Sequence, residues 1–269
     1  MRHQDTTRMA LAAGSAVLAG TAAVAADQPK VDAAAVDGAF EALKTYDWGA
    51  DRNLLNPIDD AVVATHGNAA ARKDLEKRLL AVLGSGASRS AKDFVLRTLR
   101  TVGTAESVPA LAALLPDKDL SHMARYALER IEGPEAAAAM RDALGKLGGA
   151  LKAGAVGSLG VRRDAASVPA LAGLLGDGDA AVANAATHSL GLIGTPEAGK
   201  ALAGFAAKAP EGMKTAAADA CLTCAERLLA AGNKTEAIAL YKSLSGENQP
   251  KHVRLAATRG LLIAAGKQD

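Results

Sequence analysis

The chain has 269 residues, of which 49% are hydrophobic, 22% charged and only 3% aromatic; it is apolar enough for a packed core and too evenly charged for disorder. Its formal net charge of +2 gives no electrostatic reason to expect nucleic acid or an anionic membrane as the main partner. Two cysteines exclude a disulfide framework, and an apolar content rich in Ala favours helices over strands.

The first element in chain order is a leader. Arg2 and Arg8 form a basic start, Met9 to Ala26 carries no charge, and Ala23-Val24-Ala25-Ala26 places small residues just before polar Asp27-Gln28-Pro29. That order is the secretory signal pattern and predicts cleavage after Ala25 or Ala26, hence a periplasmic or secreted protein. The apolar run holds Gly14, Ser15, Gly20 and Thr21, too weak for a span of about 20 strongly apolar residues, so no membrane insertion is expected after cleavage. Removing residues 1–26 takes away Arg2, Arg8 and Asp5 and leaves a net charge of +1.

Residues 27–68 read as an N-terminal helical cap. Val36, Phe40 and Leu43 mark one amphipathic helix, Tyr46 to Arg52 a loop, and Ile58 to Thr65 a second short helix. Such a unit closes a stack whose end would otherwise be bare, and Trp48, the single Trp, is expected to seal it, with stacking on a ligand as the alternative.

From residue 69 to 266 the chain repeats. Ser107-Val-Pro-Ala-Leu-Ala-Ala-Leu-Leu115 recurs 60 residues on as Ser167-Val-Pro-Ala-Leu-Ala-Gly-Leu-Leu175, and Asp117-Lys-Asp119 matches Asp177-Gly-Asp179. Sixty residues is two units. Leu99, Leu128, Leu159, Leu190, Leu222 and Leu261 form a ladder with steps of 29, 31, 31, 32 and 39, each step long enough for a helical hairpin. Val108, Leu111, Ala112 and Leu115 share one helical face, as do Leu120, Ala124, Leu128 and Ile131. Ser107, Asp119, Ser167 and Asp179 occupy N-cap places, and Pro109 and Pro169 fall in first turns, where a missing N–H costs nothing.

Val253-Arg254-Leu-Ala256-Ala257-Thr-Arg-Gly260-Leu261 resembles the second helix of a HEAT repeat. The resemblance covers about residues 69–266 and extends to exported bacterial HEAT-repeat proteins. It implies an all-α fold, an α-solenoid of about six helical hairpins behind the N-terminal cap, and no particular activity. Ala231 to Leu244 looks more like a tetratricopeptide helix, so the last unit, about 233–266, is expected to be atypical.

No catalytic, cofactor-binding or metal-ligating set is expected. The His residues are followed by Gln, Gly, Met, Ser and Val, not by the Glu that forms the iron-binding His-Glu pairs of HEAT-type hydroxylases. There is no Gly-x-Ser-x-Gly elbow, and Gly145-Lys-Leu-Gly-Gly149 lacks the spacing of a phosphate loop. Cys221-Leu-Thr-Cys224 has no second Cys pair and no following His, so it reads as two buried thiols or, alternatively, an i, i+3 disulfide. In HEAT proteins the second helices line the concave, partner-gripping side. The resemblance therefore points to His122, Arg125, Arg130, Arg162, Arg163 and His188 as a partner-contact face; the alternative is that they solvate or brace the stack. The expected role is a non-catalytic protein–protein interaction scaffold for another exported protein. An accessory or chaperone-like subunit of an exported enzyme and a HEAT-type lyase-like enzyme stand as alternatives.

Overall fold

A computed structural model describes residues 31–247 and 249–266. The leader assigned above, residues 1–26, lies outside the described residues. Every described element is helical: α1 (Ala33–Thr45), α2 (Asn56–Ala64), α3 (Ala69–Leu83), α4 (Arg89–Val102), α5 (Val108–Ala113), α6 (Ser121–Leu128), α7 (Glu135–Ala143), α8 (Gly149–Val161), α9 (Val168–Gly173), α10 (Ala180–Ile193), α11 (Pro196–Ala206), α12 (Lys214–Ala230), α13 (Lys234–Leu244) and α14 (Lys251–Ala264). Helices α3 to α14 pair into six antiparallel hairpins stacked in order, and α1 and α2 lie across the first of them. The fold is an α-solenoid. Among the described residues no helix is long and apolar enough to cross a membrane.

The stack is held along its second helices. Leu99, Leu128, Leu159 and Leu190 are fully buried, one per unit, and α8 and α12 flank α10 more closely than any first helices approach each other. Small residues permit this. A Cβ on Gly160 would lie 2.6 Å from Ser189 Oγ, and one on Gly191 would lie 2.9 Å from the Ala220 carbonyl oxygen. Ser189 in turn donates to the Val156 carbonyl at 2.9 Å, so its hydroxyl is satisfied inside the helix–helix contact.

The ladder slips at its end. Leu222 and Leu261 are only half-buried, while Cys221 is fully buried, 31 residues after Leu190. The regular step therefore continues to Cys221, and Leu222 takes the place of Gly191. In α14 the buried set is Val253, Ala257, Gly260 and Ala264, small residues that bring this helix close to Tyr241 of α13.

Two local expectations change. Ser107 and Ser167 make no capping hydrogen bond to α5 or α9, because 3-10 turns at Ala105–Ser107 and Ala165–Ser167 run directly into these helices and already occupy their first N–H groups. Ser107 donates to the Glu76 carboxylate, and Ser167 to the Asp164 carbonyl. Asp119 does not cap α6 either, and no side chain does; Asp117 holds the turn ahead of it, accepting from the N–H groups of Asp119 and Leu120 at 2.8 and 2.9 Å. Asp179 caps α10 as expected, and Pro109 and Pro169 sit in the first turns.

Trp48 does not seal the N-terminal end. Phe40, Leu43, Leu55 and Ile58 are the buried side chains there, whereas Trp48 is 94% exposed. The cause is local: Asp47 Oδ1 accepts the Trp48 N–H at 2.8 Å and the Ser90 hydroxyl at 3.0 Å, pinning the loop to the start of α4 with the indole outside. These donors, the Trp48 N–H first, hold the Asp47 carboxyl below the usual carboxylate range.

Candidate interaction surface

The second helices repeat their exposed positions as well as their buried ones. Two residues before each buried rung (Leu99, Leu128, Leu159, Leu190 and Cys221) stand Arg97, Tyr126, Gly157, His188 and Asp219; two residues after stand Thr101, Arg130, Val161, Leu192 and Thr223. None of these ten is buried. Together they make one face that crosses α4, α6, α8, α10 and α12. It runs from arginines at α4 and α6, over a low floor of Gly157 and exposed Val161 on α8, to Asp219 on α12. Second helices approach each other most closely around α10, and the face lies on this second-helix layer.

The six residues assigned to partner contact divide. Arg130 and His188 are exposed on this face, and His122 is exposed beside it, one turn before Tyr126 on α6. Arg125 and Arg162 are not free to grip a partner; they brace neighbouring units. Arg125 lies flat against Gly154, where an added Cβ would meet its guanidinium at 2.5 Å. It donates to the Gly154 carbonyl at 3.0 Å and to Ser158 Oγ at 3.2 Å. Ser158 passes the chain of bonds back to Glu129 at 2.7 Å. Arg162 reaches from the end of α8 to the exposed carbonyls at the end of α6: Leu128 at 2.7 Å, Glu129 at 3.2 Å, Ile131 at 2.7 Å and Gly133 at 2.7 Å. Burial pushes both guanidinium pKa values down, partly offset by Glu129 for Arg125 and by Asp164 and Glu129 for Arg162. Arg163 is exposed but off the face: it turns the chain at the end of α8 with φ +53°, a left-handed place where Gly is the usual residue.

Other bracing groups had no sequence signal of their own. The Glu76 carboxylate is buried and accepts from the Thr104 N–H at 2.7 Å, the Thr104 hydroxyl and the Ser107 hydroxyl. Arg72 caps the end of α4 through the Val102 and Gly103 carbonyls at 2.7 and 2.8 Å. Arg141 pairs with Asp164, and Lys152 with Asp177 at 3.3 Å. Arg72 ties together the two helices of the first hairpin, and the other three join a unit to the connection or unit that follows it.

The two thiols sit inside the α12 packing, fully buried and unbridged. Burial pushes Cys221 up to about 12, with Cys224 adding to the effect, and Cys224 up to about 11. Fewer than about one in 10⁴ of these thiols is ionised at neutral pH. Native protein is therefore expected to resist iodoacetamide at pH 7.5, with both thiols reacting once it is unfolded; mass spectrometry before and after denaturation checks this. The unfolded chain ionises its thiols nearer 9 and so binds fewer protons between there and the folded values. The thiols' contribution to stability is thus lost progressively as pH rises from about 9.

On the other layer an open cleft of about 740 Å³ lies between α9 and α11, floored by Leu175, Ala201 and Phe205 and rimmed by Glu197, Lys200 and Lys208. It exists because α9 is only six residues long and leaves part of α11 uncovered. Among the described residues no group of three or more His, Cys, Asp or Glu side chains could hold a metal ion.

Residues 149–221, spanning α8 to α12, match the family model of HEAT repeats. This segment is a run of HEAT repeats. It includes the tightest part of the spine and half of the exposed face, and the units on either side continue its hairpin pattern. No curated protein matches the chain. Among solved structures, a crystal structure of an engineered protein is 20% identical, covering 85% of this chain and 97% of its own with a TM-score of 0.32. Human deoxyhypusine hydroxylase in complex with glycerol is 17% identical, covering 86% and 96% with a TM-score of 0.35. Neither likeness bears on activity. The HEAT repeats make this a fold of the protein-interaction scaffold kind.

Proposed function

We propose that the protein is a non-catalytic scaffold that acts after export and grips another exported protein on the second-helix face. The observation that carries this reading is the face itself. Its ten positions recur in register and none is buried, whereas the residue just before each rung (Thr98, Ala127, Ser158, Ser189 and Ala220) is buried in every unit. The leader sequence supports export. Exposed His122, Arg130 and His188, with Val161 56% exposed on the bare floor of α8, supply the mixture of polar rim and apolar centre that protein interfaces use. An accessory role beside an exported enzyme would use this same face; the burial of Cys221 and Cys224 gives the redox version of that role no support.

Capture from the exported fraction tests the proposal. A His122→Glu/Val161→Asp/His188→Glu variant is expected to lose the proteins that the unaltered chain retains, at least tenfold, with unchanged helicity. Lys200→Glu, beside the α9–α11 cleft, is expected to keep them. Loss with Lys200→Glu alone would move the binding site to the first-helix layer and defeat the reading.

A further inference from the structure

Exposed apolar side chains on the described residues are unevenly placed along the stack. Among the described residues, seven of the eight exposed large hydrophobic side chains fall in the two end segments, residues 31–68 and 251–266: Val31, Trp48, Leu54 and Val63 at one end, Leu255, Leu262 and Ile263 at the other. Only Val161 lies between them. Single exposed apolar residues are ordinary on any surface, but their confinement to both ends is not. The exposures are large, 94% for Trp48, 59% for Val63 and 60% for Leu255.

The two ends also carry opposite charge. Residues 31–68 hold seven acidic and two basic side chains, while residues 251–266 hold Lys251, Arg254 and Arg259 and no acidic residue. At the acidic end Lys44 pairs with Glu41 at 2.7 Å, Arg52 with Asp59 at 2.7 Å, and Arg78 of α3 with Asp37 at 2.8 Å, which leaves Asp32, Asp47, Asp51 and Asp60 as the acidic surplus of this end. In α14, Val253, Ala257, Gly260 and Ala264 are spent on the stack. That leaves Leu255 and Leu262, two turns apart on the opposite face, among the basic residues.

We propose that copies of this chain associate head to tail, with the basic, apolar α14 face of one copy docking on the acidic N-terminal unit of the next and Trp48 as the anchor. A two-fold dimer made through one end alone would set acid on acid or base on base and gain nothing from this asymmetry. The surfaces are different and complementary, so the contact is heterologous and can propagate.

Sedimentation of the purified protein across a concentration series tests this. Self-association is expected, weakening about tenfold between 50 and 500 mM NaCl because attraction between exposed charges is screened. Trp48→Ala should weaken it about thirtyfold, the usual scale for losing an anchor residue. Leu255→Glu/Leu262→Glu should do the same, and all these side chains are exposed enough for the fold to be kept. The decisive sample is the mixture. Trp48→Ala has a dead head and a live tail, the α14 variant the reverse, so together they should form a dimer that grows no further. A monomer throughout the series, association untouched by either variant, or a mixture no more associated than its parts would overturn the proposal.

Discussion

Replacing Arg162 by Ala is expected to destabilise the middle of the stack by about 2–4 kcal/mol, measured by urea unfolding followed by far-UV circular dichroism. The guanidinium donates to four carbonyls at and just beyond the end of α6, and Ala would leave them without that donor. A helix terminus with unmet carbonyls is costly when it is buried between units. Lys is expected to recover only part of the loss, because an ammonium has no planar fork with which to span Leu128, Ile131 and Gly133 together. Arg163 is the internal control. It is adjacent, exposed and makes no such bonds, so Arg163→Ala should shift stability by less than about 0.5 kcal/mol. An Arg162→Ala variant as stable as that control would remove the brace from the account.

The second large effect is expected at Gly160. Gly to Ala inside a helix ordinarily stabilises by up to about 1 kcal/mol, and the sign should reverse here. An added Cβ would come within 2.8 Å of the Ser189 Cα, a backbone atom of the facing helix, so α8 and α10 would have to part. Gly160→Ala is expected to cost about 1–3 kcal/mol and Gly160→Val more. Gly157 is one turn away on the same helix, and nothing lies within 4 Å of a Cβ placed there. Gly157→Ala should therefore stabilise by about 0.5–1 kcal/mol. Opposite signs from two glycines three residues apart, read in the same unfolding assay, would locate the close approach on one side of α8.

Much of the architecture was legible because packing writes itself as periodicity. The 60-residue recurrence from Ser107 to Ser167 located units, and the leucine step located the spine from Leu99 to Leu190. The step was misread at Cys221 for a physical reason: a buried Cys fills a rung as a small hydrophobe does, and the adjacent Leu222 is the more conspicuous letter. The site was less legible. Arg125, Arg130 and Arg162 share a residue type and a neighbourhood, yet two bind backbone or side-chain oxygens of adjoining units and one faces solvent. Sequence distance from the rung separates them only once the register is known: Arg130 stands two places after Leu128, on the exposed row, whereas Arg162 stands three after Leu159, turned towards the preceding unit. Trp48 failed differently. Large aromatic side chains are usually buried, and only the hydrogen bonds of Asp47 to Ser90 and to the Trp48 N–H show why this one is not.

The claim at the centre is that brace and face are separate sets of residues on the same helices. Melting temperature and capture from the exported fraction, measured on the same two variants, test it most directly. Arg162→Ala should lower the melting temperature and, assayed well below that temperature, still retain the captured protein, while the His122, Val161 and His188 variant should keep the melting temperature and lose the protein. If the face variant melts as early as Arg162→Ala, or captures as well as the unaltered chain, the second-helix face is packing and not a binding surface.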